Sequence, residues 1–365
     1  MRFCSKCLND PELQPIVEGL GQIDNSCPVC KRRQVFIYDT NVNSELTNYF
    51  EELLEIYTPA IMLPPEFPVE EQKLLVTELR DRWHIFDDNL TSTDVYNIVR
   101  AVCAEKYAES PNLFDAPVGI AELKDTVFLS EHSLLRMNDW DDFVNSVKTH
   151  NRFHTNHINL SILERYCSFI RKVYQKGSVF YRGRISSEEG ILPINMGAPL
   201  SYEAIAGRAN SAGISCLYLA SDLDTTIHEI RAGIFDYISV GRFELMQDIF
   251  VVDLKAINHI SPFIDGFDFL EHAINKDHLN KINLEIGRTL RRNDSLLDYI
   301  PTQYIADFIK SISYDGKPEY SGIEYNSTIN PSGQNIAIFY PELFTCTNVE
   351  IYHIKELKYQ KEKLS

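Results

Sequence analysis

Four cysteines near the start of the chain, in Cys4-Ser-Lys-Cys7 and Cys27-Pro-Val-Cys30, have the composition and spacing of a metal site. Nineteen residues separate the two pairs, which fits the C-x2-C, roughly 15 to 20 residues, C-x2-C pattern of structural zinc sites. Each short turn can aim two thiolates at one ion, and two such turns close a tetrahedron. With sulfur at every corner, no position stays open for water. Such an ion would hold structure rather than perform chemistry. A redox C-x-x-C pair is the alternative for the same residues. Cys103, Cys167, Cys216 and Cys346 lie in apolar segments and read as small core residues.

The elements that must position these and other groups can be read from periodicity. Residues 1–33 are expected to form a zinc ribbon or knuckle, 34–158 a mainly helical domain, and 159–365 an α+β domain. In the middle segment Ser44 precedes an apolar stripe of Leu46, Phe50, Leu53, Leu54 and Tyr57 at helical spacing. Further stripes are Leu74, Leu75, Leu79, Trp83 and Val95, Ile98, Val99, Val102. A helix is expected over Ile162 to Tyr174, strands at Ser178 to Arg184, Cys216 to Ala220, Ile249 to Leu254 and Asn335 to Phe339, and helices over Asp224 to Arg231, Asp277 to Arg292 and Pro301 to Ile312.

An ordered set of motifs in the last segment resembles the RES domain: Tyr181-Arg182-Gly183-Arg184, Met196-Gly-Ala-Pro199, Gly207-Arg208-Ala-Asn210, Gly213-Ile214, Leu217-Tyr218-Leu-Ala220, Thr225-Thr-Ile-His-Glu229, Tyr314-Asp-Gly316 and Tyr325-Asn-Ser327. The Arg, Glu and Ser that name that family fall at Arg182, Glu229 and Ser327. The resemblance implies an ADP-ribosyltransferase-like fold and an NAD+-degrading toxin or defence effector, a glycohydrolase or phosphorylase of the nicotinamide–ribose bond, with protein ADP-ribosylation at the same site as the alternative. It implies Arg182, Tyr218 and Glu229 as catalytic residues and Arg208, Ser327 and Tyr181 as substrate-binding ones.

Those residue types suit that chemistry. Cleaving the bond creates positive charge at the anomeric carbon, which a carboxylate such as Glu229 stabilises. Planar guanidinium groups such as Arg182 and Arg208 bind pyrophosphate oxygens in bidentate fashion. A capping box in Thr226-x-x-Glu229 is the competing reading of Glu229, and a core aromatic that of Tyr218. A turn serine is the competing reading of Ser327, and solvent-facing positions that of the arginines.

The front of the chain resembles, more loosely, the region that precedes RES domains in HEPN/RES-type defence proteins. Arg152-x4-His157 resembles the Rx4-6H signature of HEPN ribonucleases, so a ribonuclease reading stands beside the first. A polar linker into the next domain is the plainer alternative.

Composition bounds the rest. Fifty-two acidic against 35 basic residues give a net charge of −17, which disfavours nucleic acid as a partner. Apolar runs of four to five residues fall far below the roughly 18 a membrane span needs, and no signal-like start is seen. A cytoplasmic protein with structural Zn2+ and NAD+ as substrate is expected. An antitoxin or other regulatory protein fits the toxin likeness, and homo-oligomerisation fits a helical front domain.

Overall fold

The structure is a computed structural model that describes residues 1–288, 295–327, 329, 330 and 332–357. The expected helix end at Arg292 lies outside the described residues. The chain divides into two compact units, one of Met1–Ser133 with His259–Lys276 and one of Leu134–Asn258 with Asp277–Ser365. These units cut the chain differently from the segments 1–33, 34–158 and 159–365. The cysteine knuckle and the following helices share one core, and a stretch from the C-terminal half joins them through Phe263 and Ala273.

In the first unit, strands Arg2–Cys4 and Gln22–Asp24 flank Val35–Asp39 in an antiparallel sheet. The expected stripe after Ser44 forms the helix Glu45–Leu54, and its Leu46, Phe50, Leu53 and Leu54 are buried. Ser44 occupies the cap position without a side-chain capping bond. The buried Tyr38 hydroxyl instead accepts from Leu46 N at 3.2 Å, satisfying one of the free amides of the first turn. The Val95 to Val102 stripe lies on the helix Ser92–Val102, whose Thr91 and Asp94 form a reciprocal capping box.

The stripe from Leu74 to Trp83 is not one regular helix. Lys73–Leu74 is a strand paired with Pro117–Gly119, and Leu74 is exposed. A short helix Leu75–Thr77 runs into a π-helical turn over Glu78–Arg82. The cause is a buried polar cluster that 3.6-residue spacing does not anticipate. Glu78 accepts from Arg82 Nε at 2.6 Å and from the Tyr57 hydroxyl at 3.1 Å, and Trp83 Nε1 donates to that hydroxyl at 2.7 Å.

The second unit is built on an eight-stranded mixed sheet, so an α+β architecture is what the structure shows. In chain order its strands are β1 (Arg171–Tyr174), β2 (Val179–Ser186), β3 (Leu217–Ala220), β4 (Tyr237–Leu245), β5 (Ile249–Asp253), β6 (Gly322–Asn326), β7 (Gln334–Ile338) and β8 (Phe344–His353). Their spatial order is β8-β4-β2-β3-β7-β6-β5-β1, antiparallel throughout except for β5 and β6. One face buries Phe180, Leu217, Leu219, Phe243, Ile336 and Ile338.

The helix expected over Ile162 to Tyr174 stops at Phe169, and Arg171–Tyr174 is strand. Alternation explains the break, because Lys172 and Tyr174 both turn to the buried Glu324, each at 2.9 Å from Oε2. Strands β4, β6 and β8 have no counterpart among the expected elements.

Between β3 and β4 lies the helix Leu223–Glu229, capped by Asp222, whose carboxylate accepts from Thr225 N at 2.7 Å and Thr225 Oγ1 at 2.8 Å. Two close approaches lock it in place. A Cβ on Gly183 would come within 2.9 Å of Thr226, and one on Gly333 within 2.1 Å of Thr225 Oγ1. Gly333→Ala should therefore lower the melting temperature of this unit by about 3 to 8 °C, from an overpacking cost of about 1 to 3 kcal/mol. Gly197→Ala, where nothing lies within 4 Å of the added carbon, should leave it unchanged in the same thermal scan.

Candidate active site and cysteine centre

Strands β2 and β3 pair at a single position, Tyr181 with Ala220. Beyond it they diverge, and a cavity of about 570 Å3 opens there. Strand β2 contributes Tyr181, Arg182 and Gly183, β3 contributes Tyr218, Leu219 and Ala220, and the helix end contributes Glu229 and Arg231. Gly207, Arg208, Tyr299, Tyr325 and Asn335 complete the wall. Five of the six expected site residues thus face one space. The sixth, Ser327, stands behind it.

Arg182 is the electrostatic feature of the cavity. Its Nη1 is shielded from solvent and has no hydrogen-bond partner among the described residues. Burial, and secondarily the charge of Arg184, pull its pKa down to about 10, so it is still a cation at neutral pH. A desolvated cation without a counter-charge is unfavourable, and an anion entering the cavity relieves that cost. Arg208 is half-buried, with Nη1 donating to the Ile286 carbonyl near the end of the helix Phe269–Gly287.

Glu229 is the last residue of its helix, so the competing reading, a capping box with Thr226, does not form. The helix begins four residues earlier than that box requires, at Leu223 after Asp222, and Thr226 Oγ1 donates to the Asp222 carbonyl at 2.8 Å. Glu229 Oε1 instead accepts from Ser327 Oγ at 2.6 Å and from Asn335 Nδ2 at 2.7 Å. It makes no ion pair among the described residues. Ser327, only 4% exposed, therefore touches the carboxylate rather than the cavity.

Tyr218 presents its ring to the cavity while its hydroxyl is fully engaged. It accepts from Ala209 N at 3.0 Å and donates to Asn210 Oδ1 at 2.7 Å. Gly207 must be glycine for this approach, since a Cβ there would lie 2.6 Å from that hydroxyl. Gln303 Nε2 holds the same loop through the carbonyls of Gly207 and Asn210, at 2.8 and 2.9 Å. The loop presenting Arg208 is thus braced from two sides.

In the first unit, the sulfurs of Cys4, Cys7, Cys27 and Cys30 all lie within 4.8 Å of one another. Neighbouring pairs stand 3.4 to 3.7 Å apart. A tetrahedron with metal–sulfur bonds of about 2.3 Å has edges of about 3.8 Å, so the cluster could hold a metal ion. The crowded thiols already compete for protons. Hydrogen bonding from Cys7 draws Cys4 down to about 5, while the same contact, then burial, pushes Cys7 up.

Arg152 and His157 lie on irregular backbone between Ser146–His150 and the helix Leu160–Phe169, in the second unit. His157 Nδ1 bonds Thr155 Oγ1 at 3.0 Å. Arg152 is exposed and borders a separate groove with Tyr304 and Phe308. Neither residue faces the large cavity. Residues that sequence reasoning left out of the site are Asn335, Arg231, Tyr299 and Tyr325. Of these, Tyr325 stands in the Tyr325-Asn-Ser327 motif, and Asn335 follows a glycine in Gly333-Gln-Asn335.

Residues 184–360 match the family model of the RES domain. Tyr181 and Arg182 fall just before the matched stretch, and residues 1–183 are not covered by it. No curated protein matches the chain.

The bracing of the arginine loop has a direct readout. Tyr218→Phe removes the acceptor for the Ala209 amide, so hydrogen exchange at Ala209 should speed up by about 10-fold or more, matching the loss of a roughly 1.5 kcal/mol hydrogen bond. Unchanged protection at Ala209 would show that Gln303 alone holds the loop.

Proposed function

We propose, from the RES domain carried by residues 184–360, that the protein is an NAD+-degrading effector that cleaves the nicotinamide–ribose bond, handing the ribosyl carbon to water or phosphate. The observation that carries this reading is one cavity in which, among the described residues, the Arg182 guanidinium has no counter-charge and the Glu229 carboxylate makes no ion pair. A ligand that satisfies both must be anionic at one part and become cationic at another. A dinucleotide pyrophosphate next to a ribosyl centre meets that demand. The volume lies within the roughly 300 to 1,000 Å3 typical of ligand sites.

In the proposed reaction Arg182 and Arg208 bind the pyrophosphate oxygens. The carbon–nitrogen bond breaks with its electron pair leaving on the nicotinamide ring. Glu229 stabilises the positive charge that develops on the sugar. The acceptor's oxygen then bonds to the anomeric carbon, and a water acceptor gives up a proton. The rings of Tyr181 and Tyr218 form flat walls against which nicotinamide or ribose can pack.

Purified protein incubated with NAD+, with and without phosphate, tests the reading. Free ADP-ribose, a phosphorylated ADP-ribose or labelled protein identify water, phosphate or a side chain as acceptor. Glu229→Gln should lower the rate by about 10² to 10³, and the pair Arg152→Ala with His157→Ala should leave NAD+ loss nearly unchanged. Toxicity that survives Glu229→Gln with NAD+ intact, and disappears in the double variant, would transfer the function to the ribonuclease reading.

For the cysteine centre the ion is proposed to be Zn2+, held by Cys4, Cys7, Cys27 and Cys30 in a structural role. Metal analysis should give about one equivalent per chain. Cys27→Ser should release it and loosen the first unit while NAD+ cleavage continues, because closed four-sulfur sites stabilise their own fold. Loss of cleavage in a still-folded second unit would overturn that division of labour.

A further inference from the structure

The two bonds to Glu229 arrive at the same oxygen. Ser327 Oγ and Asn335 Nδ2 both donate to Oε1, at 2.6 and 2.7 Å, and no donor among the described residues reaches Oε2. We propose that Asn335, together with Ser327, is a positioning residue that fixes the rotation of the Glu229 carboxylate and leaves Oε2 as the open acceptor toward the cavity. The proposal rests on the NAD+-cleaving reading of the site and specifies how its carboxylate is prepared.

Both donors are themselves constrained. Ser327 Oγ already accepts from Asn330 N at 3.1 Å and Ile329 N at 3.3 Å. With its lone pairs taken, its proton is directed to Glu229. Asn335 is 8% exposed and sits in β7, in register with Ala220 of β3 and Tyr325 of β6. The helix bearing Glu229 is tied to the turn between those donors, because Asn330 Nδ2 donates to Thr225 Oγ1 at 2.9 Å and Ser327 N to the Gly333 carbonyl at 2.9 Å. Carboxylate and clamp therefore belong to one rigid node, and the clamp costs little further ordering.

Two donors on one oxygen fix the rotation of a carboxylate. An unclamped Glu229 could swing away to solvent or to a neighbouring cation. A clamped one keeps the lone pairs of Oε2 where positive charge would develop on the sugar. The same geometry predicts how Glu229→Gln behaves. The clamp offers only donors, so the amide oxygen takes the place of Oε1 and the NH2 group turns toward the cavity. That substitution exchanges an acceptor for a donor as well as removing the charge.

The test uses the full chain, measuring NAD+ turnover together with the 13C NMR shift of the Glu229 carboxyl at one fixed pH, assigned by its absence in Glu229→Gln. Asn335→Ala should lower kcat by about 10 to 10²-fold with KM for NAD+ within about 3-fold, because a misplaced reacting group costs rate rather than binding. It should also move the Glu229 carboxyl resonance, which loses a hydrogen bond at Oε1. Asn335→Asp keeps the volume but removes the donor, so it should lower kcat as Asn335→Ala does, a signature that lost packing does not produce.

An unmoved Glu229 carboxyl resonance in Asn335→Ala overturns the proposal, as does a raised KM with unchanged kcat, which would mean that Asn335 binds substrate itself. Should Asn335→Ala not fold, Ser327→Ala removes the other donor and is read in the same way. Absence of NAD+ loss in the unmodified protein would refute the activity, while the carboxyl resonances would still decide the clamp.

Discussion

The single pairing between β2 and β3, Tyr181 with Ala220, is the constraint on which the rest of the second unit depends. A continuous ladder there would seal the sheet. In a pleated strand successive side chains point to opposite faces, yet three consecutive residues of β2 and three of β3 line the cavity. That is achieved only where the strands separate and expose their edges. The cavity is thus a gap in the sheet, and its walls come from segments far apart in the chain. Gly183 lets the helix Leu223–Glu229 pack close to β2, which brings Glu229 onto the same wall as Arg182.

How legible each part was in the sequence follows from how local it is. The cysteine cluster was legible because two C-x2-C turns carry their own geometry, and the four sulfurs do converge. Arg182, Arg208, Tyr218 and Glu229 were legible as an ordered set of motifs, although nothing in composition places them around one cavity. The pairing of the strands was not legible. Strand β4 meets both β2 and β8 over most of its length, but its Gly241-Arg242 centre and the polar β8 hide that pattern. Local rules also misled where a tertiary contact won. Thr226 and Glu229 have capping-box spacing, yet Asp222 starts the helix earlier. Leu74 to Trp83 has helical spacing, yet buried Glu78 and Tyr57 widen the turn.

The site is held by several small polar knots rather than by apolar packing alone. Asp222 fixes the helix start, Ser327 and Asn335 fix its end, and Tyr218 with Gln303 fixes the arginine loop. On β6 the alternation places Glu324 among Lys172, Lys255 and Tyr174, while the next residue, Tyr325, lines the cavity. One strand therefore anchors the sheet through one face and shapes the site through the other. Buried bonds of this kind are costly to break singly, which suits a cavity whose charged groups must not relax toward each other.

That requirement also reconciles a net charge of −17 with an anion-seeking site. Surface charges are screened beyond about 8 Å at physiological salt, so the acidic exterior acts weakly on a ligand already inside the cavity. Arg182 acts there at contact distance, from a position where solvent does not reach its Nη1. A long polyanion such as nucleic acid would have to cross the acidic exterior over many contacts and gain at few. In the proposed reaction a small dinucleotide makes the opposite exchange, placing its two phosphate charges against Arg182 and Arg208 and leaving the exterior untouched. On the proposed function, selectivity for a compact anion follows from lining a gap of the sheet with Arg182, Arg208 and Arg231 against a single carboxylate, Glu229, while the acidic excess of the chain lies elsewhere.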